Sequence, residues 1–150
     1  LGDATNGSTT IANQGAGTYT MSVSEGTTTA QYYEFYDLGL SGLSLLDGVK
    51  VPLLRDGYYE VGINNGAALT IASSTIDADP AKQIYNITFA TTTAISATNT
   101  HQIGGTPASF WWFREGHGNL YGENYDNDTG NPGSIRFDDS ALTISISGVV

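Results

Sequence analysis

The sequence predicts an all-β domain, a single β-sandwich or jelly roll of about nine or ten mostly antiparallel strands with an N-terminal arm. Three observations carry this prediction. Short stretches alternate apolar and polar residues with the period of two that a half-buried strand requires. Gly, Asn and Asp dipeptides punctuate them, as turns between short strands do. No stretch sustains a helical period. The 150 residues suit one domain, large enough to bury a core without metal or disulfide staples.

The first seventeen residues, "LGDATNGSTTIANQGAG", are polar and glycine-rich, with Ile11 the only large apolar residue after Leu1. They read as an extended arm over 1–17, with the sandwich over 18–150. In "TYTMSVS", Tyr19, Met21 and Val23 alternate with Thr and Ser, and Glu25-Gly26 turns the chain toward "TTTAQYYEFYDL" to make a hairpin. "GLSGLSLLDG" reads as a loop with apolar anchors. Next come "VKVPLL", where Pro52 marks an edge, a turn at Asp56-Gly57, and "YYEVGIN" with Tyr59, Val61 and Ile63 on one face. Asn65-Gly66 then predicts a hairpin into "AALTIAS".

Asp79 before Pro80 is placed to open a single helical turn. "IYNITFA", with Tyr85, Ile87 and Phe89 on one side, "TAISAT" and "ASFWWFR" continue the strand series. A polar loop from Glu115 to Gly133 precedes "SIRF". The closing "SALTISISGVV" sets Leu142, Ile144 and Ile146 against smaller residues and predicts a core strand.

Composition narrows the functions. The net charge is -10, fifteen acids facing Lys50, Arg55, Lys82, Arg114 and Arg136. Nucleic acid and anionic membrane surfaces both demand a basic footprint, so neither is an expected partner. The chain has no cysteine, which excludes disulfides, thiol chemistry and cysteine-bound zinc. No apolar run reaches the roughly 18 residues of a membrane span. The low charged share, 13%, with abundant Thr and Gly, suits an exported β domain, secreted or at the cell surface.

Neighbouring strand residues face opposite ways, so Trp111 and Trp112 cannot both enter the core. With Tyr121 and Tyr125 they form a candidate aromatic surface for sugar stacking or subunit contact. The same reasoning applies to Tyr32-Tyr33 and Tyr58-Tyr59. Asp126, Asp128, Asp138 and Asp139 are candidate calcium ligands, alternating acids in a glycine-containing loop, although the spacing departs from an EF-hand. Calcium is the one cofactor the sequence suggests, and it requires none. Asn6, Asn86 and Asn127 head N-x-S/T sequons and are candidate glycosylation sites. His101 and His117 lie apart with no zinc-binding spacing, and no nucleophile elbow or phosphate loop occurs. No enzyme activity is expected; Glu34 with Glu60 is the one carboxylate pair that strand positions single out.

The polar arm followed by one β domain resembles, in layout and without a residue motif, bacterial fimbrial subunits that assemble by donor-strand complementation. That resemblance implies an extracellular filament subunit whose arm adds a strand to a neighbouring copy, with Leu1, Ala4 and Ile11 as the inserting residues. The partners are then copies of the chain itself, in a polymer that is also adhesive. "DGYYEVGINNG" and the late aromatic region also resemble jelly-roll heads of the C1q and tumour-necrosis-factor type. This second resemblance implies a lectin-like domain or a trimeric fibre tip that binds carbohydrate.

Overall fold

The computed structural model describes Thr5 and residues 7–92, 94–128 and 133–138. The described residues form nine strands and one short helix: β1 (Thr9–Ile11), β2 (Tyr19–Val23), β3 (Thr27–Leu45), β4 (Lys50–Val61), β5 (Gly66–Ala72), α1 (Ser73–Ala78), β6 (Lys82–Thr91), β7 (Ala97–Ile103), β8 (Trp111–Arg114) and β9 (Ile135–Phe137). A 3-10 turn, Glu123–Tyr125, lies before β9.

Every strand pairing is parallel, and the chain coils into a β-solenoid of about five turns. The predicted antiparallel sandwich or jelly roll is therefore incorrect. Registers define three walls per turn. The first stacks residues 27–31, 50–55, 82–85, 111–114 and 135–137. The second stacks 9–11, 33–38, 57–61 and 87–91. β2, the end of β3, β5 and β7 make the third.

The reason for the error lies in the turns. The type I′ hairpin turn that Asn-Gly and Asp-Gly favour needs left-handed φ at both central residues. At Asn65-Gly66 only Asn65 has it, φ 58°, and at Asp56-Gly57 only Asp56, φ 51°. The single left-handed residue here bends the strand around a corner and does not form the type I′ reversal. β4 and β5 are thus successive walls of one turn, not a hairpin. β2 likewise pairs in parallel with the far end of β3, Met21 opposite Leu43, across the expected Glu25-Gly26 reversal. The "GLSGLSLLDG" loop is strand as far as Leu45. The helical turn falls upstream of its predicted place, with Asp79 at its C-cap instead of opening it.

The corner between the first and second walls repeats at Tyr32, Asp56, Asn86 and Glu115, all with φ between 51° and 56°. It also shifts the side-chain alternation by one residue. Ile84 is buried before the corner and Ile87 and Phe89 after it, while Tyr85 points outward. The predicted face of Tyr85, Ile87 and Phe89 is broken for that reason.

Inside, residues in register build columns. Ile11, Phe35, Tyr59 and Phe89 follow one another up the second wall. The Phe35 and Tyr59 rings stack at 5.5 Å, as do those of Tyr59 and Phe89, and Phe113 stacks on Phe137 at 5.1 Å. These spacings follow from the ~4.8 Å separation of paired strands. Tyr33, in the same core, shares a buried hydrogen bond with Tyr59, Oη to Oη at 2.9 Å. Its ring occupies the space where any side chain at Gly57 would begin. On the third wall, buried Asn99 donates through Nδ2 to the Leu120 and Gly122 carbonyls at 2.8 and 2.9 Å, fastening the long loop after β8 to the solenoid.

Gly57→Ala should drive its methyl into the Tyr33 ring and cost about 1–3 kcal/mol, the usual range for overpacking a filled core. A thermal melt should show the midpoint lowered by several degrees; an unchanged midpoint would contradict this packing.

Candidate functional site: a lateral cleft at the first corner

Outward side chains of the second wall form a column in register: Thr10, Glu34, Tyr58 and Thr88, with His117 bridged to Thr88. Tyr36 and Glu60 stand two residues further along β3 and β4 and so share this face. The Tyr36 and Tyr58 rings lie 5.1 Å apart. Tyr58 Oη donates to Glu60 Oε2 at 2.9 Å, and Glu34 Oε2 accepts from Thr10 Oγ1 at 3.1 Å and Tyr36 Oη at 3.4 Å. Burial, then the adjacent Glu60, pushes the Tyr58 hydroxyl well above its ordinary pKa. Tyr36 shifts the same way, through burial and then Glu34. Both phenols remain protonated donors at neutral pH.

The adjoining corner centres on Asp56. Its carboxylate accepts from Gln31 Nε2 at 2.8 Å, Arg55 Nε at 2.9 Å and Asn86 Nδ2 at 2.9 Å, donors from three successive turns. Burial alone would raise its pKa, but these three hydrogen bonds outweigh burial and hold it below the ordinary value. Between corner and wall lies an open cleft of about 330 Å³, lined by Ser8, Tyr32, Glu34, Asp56, Tyr58 and Asn86, among others. Tyrosine faces and a surplus of oxygen acceptors characterise it. Glu34 and Glu60 do share a wall, flanking the Tyr36–Tyr58 pair.

The expected aromatic surface is dispersed. Trp111 is fully buried and donates through Nε1 to the Asp79 carbonyl at 2.9 Å. Trp112 points outward from the first wall. Tyr121 packs edge-on against Phe137, its hydroxyl bonded to Asp138 Oδ1 at 2.6 Å. Tyr125 is exposed on the 3-10 turn. Ile11 pairs opposite Phe35 and packs against the core of its own chain. Leu1, Ala4, Asn6, Asp139 and the C-terminal stretch from Ser140 lie outside the described residues.

The acidic residues divide into separate groups. Asp128 Oδ2 accepts from Ile135 N at 2.7 Å and Glu123 Oε1 from Phe137 N at 2.6 Å, so both hold the backbone of β9. Asp126 sits with this pair. Burial, then the charges of Asp128 and Glu123, raises its pKa from 3.8 to about 7. Asp138 instead accepts from Tyr121 and from the Glu115 amide at 3.2 Å. Among the described residues no group of three or more His, Asp or Glu side chains is arranged to hold a metal. His101 and His117 stand on different walls. The Asn86 amide is engaged by Asp56, and the Asn127 backbone bonds to Thr100 and Gln102 while its side chain is exposed.

The fold and cleft define a parallel β-solenoid with a lateral polar-aromatic groove. No protein-family model, curated protein or solved structure matches the chain.

The cleft was hidden from strand patterning, because Asp56 and Asn86 meet only through the register of β4 on β6. The one available signal was the shared type of Asp56 and Asn86, residues that tolerate left-handed φ.

The acidic group at β9 makes stability pH-dependent. Asp126 binds its proton more tightly folded than unfolded, so its stabilising contribution is complete below about pH 4 and is lost as pH rises to about 7. Asp126→Asn should flatten this slope, read as the shift in urea midpoint between about pH 5 and about pH 8. A slope as steep as in the parent chain would exclude Asp126 as its source.

Proposed function

We propose that the chain is a structural, adhesive module acting outside the cell, a short solenoid rod that binds neutral carbohydrate in the Tyr32–Tyr58 cleft. The carrying observation is the composition of that cleft: tyrosine rings beside convergent acceptors and donors, in a volume at the lower end of ligand sites, about 330 Å³. A sugar ring presents an apolar face to stack on an aromatic side chain and hydroxyls that donate to carboxylates. Glu34 and Asp56 favour hydroxyl donors and oppose an anionic sugar. Binding needs no cofactor.

The expected filament role takes a different physical form on this fold. A sandwich offers a groove for a donor strand, whereas a solenoid offers stacked rungs and long lateral walls, so assembly with other copies proceeds through those surfaces. The charge distribution described below favours this second reading.

A glycan array of neutral and acidic oligosaccharides tests the first. Neutral glycans should bind, and Tyr58→Ala should weaken the best of them by about tenfold, the loss of roughly 1.4 kcal/mol of stacking and hydrogen bonding. Silence across the neutral set, or binding indifferent to Tyr58, would remove the carbohydrate reading.

A further inference from the structure

The five basic residues are not scattered. Lys50 and Arg55 lie on β4, Lys82 on β6, Arg114 on β8 and Arg136 on β9, all within first-wall segments. Those segments contain none of the fifteen acids. In a chain of net charge -10, one wall is purely cationic.

Two of its cations are neutralised within the fold, Arg55 by Asp56 at 2.9 Å and Lys82 by Asp79 at 3.2 Å. Arg114 and Arg136 have no carboxylate partner among the described residues. Each instead lies over an aromatic ring: Arg114 is 4.5 Å from Trp112, and Arg136 is 4.0 Å from Phe110. Stacking fixes a guanidinium plane and leaves N–H groups at its edge for a carboxylate. Arg114 Nε is also buried without an acceptor among the described residues.

The second wall is the converse, carrying Glu34, Asp37 and Glu60 and no cation. Its geometry matches. Arg136 pairs with Trp112, so Arg114 lies one rung before Arg136 and two residues further along. Glu34 pairs with Tyr58, so Glu60 lies one rung after Glu34 and two residues further along. One rung and two residues give a diagonal of about 8 Å in both cases. Seen from outside, the two diagonals lean in opposite directions, as two surfaces must if they are to coincide face to face with their solenoid axes aligned.

We propose that the first wall of one copy docks laterally on the second wall of another, Arg114 and Arg136 meeting Glu34 and Glu60. The contact is heterologous, and because every copy carries both walls it propagates beyond a dimer. It shares Glu34 with the carbohydrate cleft but does not rest on that reading, and its test uses no sugar.

Sedimentation velocity on the full chain is the experiment, with circular dichroism confirming that each variant is folded. The parent chain should associate as concentration rises. Arg114→Glu with Arg136→Glu, and separately Glu34→Arg with Glu60→Arg, should each weaken association by about tenfold or more, because each sets like charges face to face. An equimolar mixture of the two variants should regain association, since each then offers the charge the other lacks. A parent chain monomeric at its highest soluble concentration, association that survives either reversal, or two folded variants that do not associate when mixed would each overturn the proposal. A monomeric parent that instead binds a sulfated polysaccharide, and loses it on Arg114→Glu with Arg136→Glu, would assign the cationic wall to an anionic glycan.

Discussion

A strand that must join a parallel stack has to turn a corner without reversing, and the column Tyr32, Asp56, Asn86 and Glu115 solves that problem one left-handed residue per rung. Such a conformation costs about 1–3 kcal/mol for a residue with a side chain. Here part of the cost is offset by the ladder from Gln31 and Asn86 to Asp56, which ties successive corners together. The phase shift at each corner lets Leu54, Ile84 and Phe113 enter the core before it and Phe35, Tyr59 and Phe89 after it. The aromatic columns, and the exclusion of any side chain at Gly57, are consequences of this one bend.

Most strand positions, and the division of each aromatic pair between inside and outside, were legible, because alternation is a property of a strand alone; which member of the tryptophan pair faces inward was not. Tyr33, Tyr59 and Trp111 are inside; Tyr58 and Trp112 are outside. Strand direction was not legible, because the same alternating segment pairs in either sense and the partner decides. Asp-Gly and Asn-Gly were read as reversals on composition, whereas the fold uses the left-handed conformation of the first residue only. The solenoid leaves no fixed period in the sequence because its turns differ in length: α1 and the loop after β8 interrupt rungs that would otherwise recur at similar spacing. Among site residues, Glu34 and Glu60 were traceable to strand position, but the meeting of Asp56 with Asn86 depends on a register that no single strand encodes.

Asp56 couples the two outer walls. It neutralises Arg55 on the first and lines the cleft at the edge of the second, so a single carboxylate moderates the charge of one surface while shaping the other. With Arg55 and Lys82 paired, the positive charge without a carboxylate partner among the described residues is Lys50 on β4 and, on the later rungs, Arg114 and Arg136. The acids of the second wall, Glu34 and Glu60, belong to earlier rungs.

That axial separation determines what kind of assembly the charges favour. Arg114 on β8 stands three rungs beyond Glu34 on β3, counting through β4 and β6, which is roughly 14 Å along the axis at ordinary strand spacing. Two copies with parallel axes that match these charges are staggered rather than level. A level contact would close a compact cluster of rods, whereas a stagger carries each added copy further along the axis than the last. In the proposed assembly, lateral docking and lengthening are then the same event, and growth follows the solenoid axis.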